Sequence, residues 1–242
     1  MLISRCHYSA LLGALVRYNL AHGFPDRADY IKSLTGVPPS LLSAVMRGQQ
    51  QKPNDLSAPV EAFSKEFTEN GSSWRVRQPE GFVEWCIDGE LLALPPSVES
   101  LMGSAKRFEI VIDHCTGGAA QVGFDFLSRL DGRPARATVS SLAASAAAML
   151  FTLAPGQRRI WKSAKLMFHC AASCIMANAS ALRAQADELE EIDRRSIELL
   201  VVRTGLPRQV VASWFDGEDH TFSAGEAISA GLADALVEPE DD

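Results

Sequence analysis

Three short apolar runs in the middle of the chain are each followed by residues that acyl transfer requires. Residues 108–112 lead to a glycine pair, Gly117 and Gly118. A second run leads to Ser145 within the sequence AASAAAM, and a third leads to His169. A glycine pair exposes backbone N–H groups, a serine hydroxyl can act as a nucleophile, and an imidazole can take its proton. The three runs therefore predict a site for nucleophilic acyl transfer.

Ser145 is the strongest candidate for the nucleophile, because it lies among residues that have almost no side chains. It stands at the start of a predicted Ala-rich helix, where unpaired backbone N–H groups and the helix dipole favour a developing negative charge. The N–H of Ala146 directly follows the nucleophile, and Gly117 can bring a second N–H close because glycine has no Cβ. Two such donors would form an oxyanion site.

Each residue also has an ordinary structural interpretation when it is taken alone. Ser145 is typical of an Ala-rich packing helix, and His169 is typical of a hydrogen-bonded core histidine. Asp219 belongs to an acidic loop of the kind that is usually solvated, and His114 and His220 compete as candidates for the base. Only a joint pattern across several of these residues can favour catalysis over packing.

The predicted elements that would position these residues alternate between strand and helix. Apolar or β-branched runs predict strands at 82–87, 107–113, 137–141, 158–161 and 166–168. Helical spacing predicts helices at 119–130, 142–153 and 178–204. An Asp88-Gly89 turn is expected after the first strand. Alternation of this kind predicts an α/β layered fold with parallel strands.

The composition is that of a soluble globular protein, with 47% hydrophobic and 22% charged residues in a chain of 242. The net charge of −7 is unevenly spread, since residues 1–78 carry nine basic and six acidic residues whereas the remainder carries 14 and 24. This asymmetry indicates two units with different surfaces. Neither unit is basic enough to indicate nucleic-acid binding from charge alone.

Cysteine usage and hydropathy predict a cytoplasmic protein. The five cysteines, an odd number, provide no paired disulfide framework. Cys170 and Cys174 lie beside His169, but the chain has no CxxC pair and no second histidine cluster, so we predict no metal site. The longest apolar stretch, 142–154, has 13 residues, fewer than the ~20 that a membrane span needs.

The first part of the chain predicts a separate helical domain. Helical spacing predicts four helices, at 9–22, 27–34, 40–47 and 56–67. The polar stretch 70–81, which contains Gly, Ser and Pro, is typical of a linker. We therefore divide the chain into a small all-α domain at 1–69, this linker, and a larger domain at 82–242.

The segment RADYIKSLTGVPPSLLSAVMRGQQQKP resembles the helix-turn-helix core of phage-repressor-like domains. A short helix, a Gly-containing turn, a Ser-led helix and an Arg-Gly terminus occur in the same order, over roughly residues 9–67. The resemblance implies that four residues face a DNA major groove: Ser40, Ser43, Arg47 and Gln49. The alternative is a helical bundle that packs on the larger domain or binds a protein partner, which the mostly apolar recognition helix favours.

Four motifs in the remainder resemble the ClpP family of serine peptidases, particularly its phage-associated and other ClpP-like members. The motifs are IDHCTGG, LAASAAAM, KLMFHC and DHTFSAGEAISAGLAD, and they occur in the family's order within residues 108–237. The resemblance implies an α/β fold of the ClpP/crotonase type, with repeated β-β-α layers and a long handle helix at 178–204, preceded here by the small all-α domain.

The resemblance also implies the roles of individual residues. Ser145 would be the nucleophile, His169 the base, and Asp219 the carboxylate that orients the imidazole, with Asp216 as a second candidate for that last role. The oxyanion site would consist of two backbone N–H groups, those of Gly117 and Ala146. Substrate would contact Gly118, Cys170 and Ala171.

By the same resemblance, the protein is expected to be a serine endopeptidase that uses no cofactor and acts on polypeptides. Family members form rings of six or seven subunits that stack face to face, so a homo-oligomer is expected, and an unfoldase ATPase is an implied partner. Two departures from the family pattern bear on peptide specificity. Cys115-Thr116 replace Ser-Pro before the glycines, and Cys170-Ala171 replace Gln-Pro after the base.

Two other functions are alternatives at this point. A crotonase-type acyl-CoA enzyme would stabilise a thioester enolate with two backbone N–H groups and would need no triad. A non-catalytic scaffold would use the fold to present residues 1–69 to DNA or to a protein partner. The order of Ser145, His169 and Asp219 along the chain favours the endopeptidase over both.

Overall fold

The computed structural model describes residues 65–69, 72–77, 82–91, 107–130, 133 and 135–238. Within these ranges the strands are β1 (Lys65–Glu69), β2 (Ser72–Arg77), β3 (Phe82–Leu91), β4 (Arg107–Gly118), β5 (Ala135–Ala144), β6 (Arg158–Trp161), β7 (Lys165–Phe168), β8 (His220–Ser223) and β9 (Ala235–Val237). The helices of the same ranges are α1 (Ala120–Leu130), α2 (Ala146–Leu153), α3 (Ala179–Thr204), α4 (Arg208–Ala212) and α5 (Ala224–Ser229).

The described strands form one mixed sheet whose centre is parallel. β3, β4 and β5 lie side by side in parallel, and β6 and β9 continue the parallel order. β5 changes partner along its length, since residues 137–139 pair with β6 and residues 142–144 pair with β7. β8 is antiparallel to β7, and β1 and β2 add antiparallel strands beside β3. The prediction of an α/β fold with parallel strands and a long helix is therefore confirmed.

α2 is the buried centre of this arrangement. All of its residues are buried, because its Ala-rich first turn allows neighbouring elements to pack closely. It contacts α1, α3, β4 and β5. A Cβ at Gly123 of α1 would lie 3.6 Å from the Cβ of Leu150, so the two helices approach closely there. α2 is therefore held between the sheet and its neighbouring helices.

α3 is exposed along its first half and buried along its second half. Its first turn is capped by the side chain of Asn178, and it ends at Gly205, which has a left-handed φ of 76°. Residues 179–184 are exposed, whereas residues 196–203 are buried. The helix expected at 178–204 is confirmed.

The structure differs from the expectation before residue 82. β1 and β2 form an antiparallel hairpin beside β3, where we expected the end of a helix at 56–67 and a linker at 70–81. The hairpin satisfies backbone hydrogen-bonding groups along one edge of β3, and the sequence SSWRVR alternates as a strand does. Both expectations were wrong for the described residues, and the sheet includes residues from 65 onward.

The rest of the expected N-terminal domain lies outside the described residues. This part includes the helices expected at 9–22, 27–34 and 40–47. It also includes the residues expected to face DNA, which are Ser40, Ser43, Arg47 and Gln49. The division into a domain at 1–69 and a domain at 82–242 therefore stays a prediction.

Two smaller differences concern β3 and α2. Asp88 and Gly89 do not form a turn after the strand but lie within β3 at an irregularity in its pairing with β4, where Gly89 has a φ of 103°. The helix expected at 142–153 begins at Ala146, because residues 142–144 pair with β7 as part of β5. Pairing with a distant strand thus overrides the local helical pattern.

Two buried arginines tie α2 to α3 and β6 to the segment before β9. Arg203 of α3 donates to the carbonyls of Thr152 at 3.0 Å and Ala154 at 2.8 Å. Because carbonyls at the end of a helix lack partners within it, the guanidinium satisfies them and complements the helix dipole. Arg158 of β6 donates to both carboxylate oxygens of Asp234.

We predict that Asp234→Asn destabilises the protein at neutral pH but not at low pH. Burial raises the pKa of Asp234, but hydrogen bonds from Arg158 and its positive charge outweigh burial, so that the pKa lies below its ordinary value. A lowered carboxyl pKa contributes stability that is full above the ordinary pKa and is lost as the pH falls through the pKa of the folded state. We expect the free energy of unfolding to fall by about 1 kcal/mol at neutral pH, less than the ~1.5–3 kcal/mol typical of a hydrogen bond to a charged group, because the carboxylate is 38% exposed.

Urea unfolding of wild type and variant, at neutral pH and at a pH below the folded-state pKa, measures this difference. Asp187→Asn is the matched control, because Asp187 is an exposed aspartate on the first half of α3. If Asp234→Asn lowered the free energy of unfolding as much in acid as at neutral pH, the stabilising role of the carboxylate charge would be contradicted.

Candidate active site

Ser145 lies on a strained turn between β5 and α2, at the helix start where it was expected. It is the one non-glycine residue of the described ranges with a positive φ, and its φ and ψ are 53° and −123°. Such a conformation costs about 1–3 kcal/mol and is typical of nucleophiles on sharp strand-to-helix turns. Its N–H donates to the carbonyl of Met167 in β7 at 2.8 Å, which holds the turn. Its hydroxyl does not cap α2 and so is available for reaction.

Two backbone features beside Ser145 fit an oxyanion site. The first hydrogen bond within α2 joins the N–H of Met149 to the carbonyl of Ser145 at 3.1 Å, so the N–H of Ala146 has no partner within the helix. Gly117 near the end of β4 has a φ of 110°, and a Cβ there would lie 2.6 Å from the Cβ of Ser145. The position therefore requires glycine, whose backbone lies against the serine.

The pairing of β7 with β8 brings His169 and Asp219 together. The strands are antiparallel with Phe168 opposite His220, so His169 and Asp219 are the next residues at the same end of the pair. Nδ1 of His169 lies 3.4 Å from Oδ1 of Asp219, and the two side chains are 31% and 70% exposed. Solvent therefore weakens their attraction. The hydrogen bond from the strained turn reaches β7 two residues before His169, so serine and imidazole arise from adjacent backbone segments.

An aromatic cluster holds the β7–β8 pair against the core. The ring of Trp214 lies 5.8 Å from that of Phe168 and 5.0 Å from that of Phe222, and the two phenylalanines also make an edge-to-face contact. All three side chains are buried. Each such aromatic pair adds about 0.5–1.5 kcal/mol beyond the burial of its area. Sequence reasoning missed this cluster, although the Trp-Phe pair before the acidic loop was a usable signal.

The other candidate groups are arranged differently. Nε2 of His220 lies 2.8 Å from Oδ1 of Asp216, and this hydrogen bond lowers the pKa of Asp216. Asp216 is thus engaged by His220, whereas Asp219 is the carboxylate that faces His169. His114 is exposed on β4.

The three residues expected to contact substrate lie around the same site. Gly118 is exposed at the end of β4, where a Cβ would collide with the carbonyl of Leu91. Cys170 and Ala171 are half-buried after β7. The N–H of Ala171 donates to Oδ1 of Asp193 at 2.7 Å and is therefore not available to a substrate. Asp193, on α3, was not singled out from the sequence.

In the described part of the chain, no group of three or more His, Cys, Asp or Glu side chains is placed to hold a metal ion. None of the helices described above combines the length and the apolar character that crossing a membrane requires.

Comparison with known sequences finds a matching family model and a relative. The sequence model of the Clp protease family matches residues 102–240, a range that contains Gly117, Ser145, His169 and Asp219. The chain is also similar to the ATP-dependent Clp protease proteolytic subunit 1 of Chlamydia caviae, with 28% identity over 138 residues. That match covers 55% of this chain and 72% of the relative.

We predict that Gly117→Ala disables the site, whereas Gly89→Ala does not. Both glycines have a similar positive φ, 110° and 103°, so both substitutions strain the backbone. A Cβ at Gly117 would also press on Ser145, whereas no atom lies within 4 Å of a Cβ at Gly89. If the N–H of Gly117 is an oxyanion donor, as the sequence predicts, the added methyl displaces it, and we expect the reaction of Ser145 with a fluorophosphonate probe to slow by about 100-fold or more.

The rate of probe labelling, followed by gel fluorescence, measures this effect, and thermal unfolding of both variants controls for loss of fold. Similar labelling rates for the two variants would show that Gly117 has no special relation to Ser145.

We predict that Cys115 and Cys170 react slowly with alkylating reagents at neutral pH. Burial raises the pKa of the Cys115 thiol, and burial together with the negative charge of Asp193 raises the pKa of the Cys170 thiol. Since the thiolate is the nucleophile, a raised pKa leaves less of it at neutral pH, and the rate should increase as the pH rises. The exposed Cys174 is the internal reference. Mass spectrometry after iodoacetamide treatment tests this, and Cys115 reacting before Cys174 would refute it.

Proposed function

The chain belongs to the Clp protease family over residues 102–240, and on that premise we propose that it is a serine endopeptidase. In this proposal Ser145 is the nucleophile, His169 the general base and Asp219 the residue that orients the imidazole. The observation that carries the proposal is the strained turn, whose N–H bond to Met167 places the serine beside the strand that leads to His169.

In the proposed reaction, His169 takes the hydroxyl proton of Ser145 while the Oγ atom attacks the carbonyl carbon of the peptide. The resulting oxyanion accepts hydrogen bonds from the N–H groups of Gly117 and Ala146. The C–N bond then breaks, and the leaving amine receives the proton from the imidazole. Water then attacks the ester that remains and gives a proton to the same imidazole. The imidazole returns this proton to Oγ of Ser145 as the ester C–O bond breaks and the acid is released.

Strain at Ser145 supports this chemistry over the alternatives. A crotonase-type acyl-CoA enzyme would need two backbone N–H groups but neither a serine in a strained conformation nor an imidazole–carboxylate pair. A scaffold would need none of these features. Backbone strain of about 1–3 kcal/mol persists only where the surrounding structure enforces it, and it is concentrated at functional sites.

We extend the proposal to partners. The relative from Chlamydia caviae is named as a proteolytic subunit of an ATP-dependent protease, so a polypeptide substrate and an unfoldase ATPase belong to the same proposal. A ring-shaped homo-oligomer of six or seven subunits would cover three apolar side chains that this chain leaves exposed, those of Ile175, Met176 and Leu182. A helix-turn-helix within residues 1–69 stays a prediction.

A fluorophosphonate probe and a fluorogenic peptide test the function together. We expect wild type to be labelled and active, and both signals to be lost in Ser145→Ala and His169→Ala. We expect Asp219→Asn to lower kcat by about 10²–10³-fold, less than the ~10⁴-fold typical of a buried orienting aspartate, because Asp219 is 70% exposed. The matched control is Ser141→Ala, an exposed serine on β5.

Two outcomes would contradict the proposal. Peptide hydrolysis that survives in Ser145→Ala would remove Ser145 from the mechanism, and a wild-type protein that neither labels nor hydrolyses peptide would exclude a serine peptidase. Light scattering tests the ring separately, since a native mass near 26.2 kDa would leave the chain monomeric.

A further inference from the structure

Asp193 is a half-buried carboxylate on α3 that the mechanism above does not use. It lies where α3 passes from its exposed first half to its buried second half. Its Oδ1 accepts the N–H of Ala171 at 2.7 Å, from a residue 22 positions away in the sequence. Ala171 is the second residue after His169, so this hydrogen bond holds the backbone that leaves the imidazole.

Other groups of the same segment also face Asp193. A hydrogen bond from the Cys170 side chain and the nearby imidazole of His169 both lower the pKa of the carboxylate. Glu190 on the same helix interacts with it unfavourably. The titratable groups that face Asp193 are thus His169 and Cys170 from the segment after β7, and Glu190 from α3.

The position is costly for a carboxylate. Burial raises the pKa of Asp193, and the hydrogen bonds from Ala171 and Cys170 offset this only in part. A carboxylate in such a position needs partners, and it is often found where function requires it. The segment that it holds, residues 169–178, forms neither helix nor strand and is exposed from residue 172 onward. The Asp193–Ala171 bond therefore ties an irregular segment to α3.

We propose that Asp193 is a positioning residue for His169: it fixes the backbone after the imidazole and presents a second negative charge to it. This inference rests on the proposed function, in which His169 becomes positively charged when it takes the proton of Ser145. Asp219 is 70% exposed, whereas Asp193 is half-buried. Since solvent screens charges, Asp193 supports the imidazolium from the more enclosed position.

The test compares Asp193→Ala with Asp193→Asn in the full chain. Alanine removes both the acceptor and the charge, whereas asparagine keeps an oxygen that can accept the Ala171 N–H and removes only the charge. Asp187→Ala and Asp187→Asn are the matched controls, because Asp187 is an exposed aspartate on the same helix.

We expect Asp193→Ala to lower kcat for peptide hydrolysis by about 10- to 100-fold with KM changed by less than about 2-fold, because a displaced catalytic group costs rate rather than binding. Asp193→Asn should recover most of kcat. The acidic limb of its kcat/KM profile should move to lower pH, because loss of a facing negative charge favours the neutral imidazole. The two Asp187 variants should match wild type in both respects.

Amide hydrogen exchange of the segment 169–173, measured by mass spectrometry, tests the anchor without any need for catalysis. We expect faster exchange in Asp193→Ala than in Asp193→Asn or in either Asp187 variant. The inference is overturned if Asp193→Ala matches Asp187→Ala in its exchange rate. It is also overturned if exchange is faster in Asp193→Ala while its kcat, and the pH profile of Asp193→Asn, match wild type. A wild-type protein without peptidase activity overturns the proposed function instead, and the exchange experiment then judges the anchor alone.

Discussion

The hydrogen bond from the N–H of Ser145 to the carbonyl of Met167 is the contact on which the candidate site depends. It joins the strained turn after β5 to β7, the strand that leads to His169. The contact is possible because β5 changes partner, pairing with β6 at residues 137–139 and with β7 at residues 142–144. A serine in this conformation would relax without such a constraint, since the strain is about 1–3 kcal/mol. One strand therefore sets the positions of both the hydroxyl and the imidazole.

α2 supplies the second constraint, and it is fixed from both ends. At its C-terminal end, the buried guanidinium of Arg203 donates to the carbonyls of Thr152 and Ala154, which no residue of the helix can satisfy. At its N-terminal end, Ala146 is buried and the preceding serine lies against Gly117. A helix without freedom to rotate or slide presents its first N–H groups in one place, which is what stabilisation of an oxyanion requires.

The sequence was informative where the signal is local and misleading where pairing is distant. The small residues around Ser145 and the glycine pair predicted the turn and the glycines at the end of β4, because each depends on few side-chain atoms nearby. The hairpin at 65–77 was missed because short, polar strands have a weak pattern of their own and form by pairing with β3. The same holds for Asp88-Gly89, which is typical of a turn, although the parallel pairing of β3 with β4 continues past it. Asp193 gave no signal, since its partner lies 22 residues away.

The two halves of the candidate site are constrained to different degrees. Ser145 is surrounded by buried backbone, and Gly117 leaves no room for even a Cβ beside it, so the proposed nucleophile has one geometry. His169 follows the last residue of β7 and precedes an exposed, irregular segment, and its carboxylate partner Asp219 is 70% exposed at 3.4 Å. Segments with few buried contacts open at lower free energy than the core. Covering the apolar side chains of residues 170–178 would therefore restrict the imidazole and leave the serine unchanged. In the proposed chemistry, the base rather than the nucleophile is then the half of the site that limits the reaction.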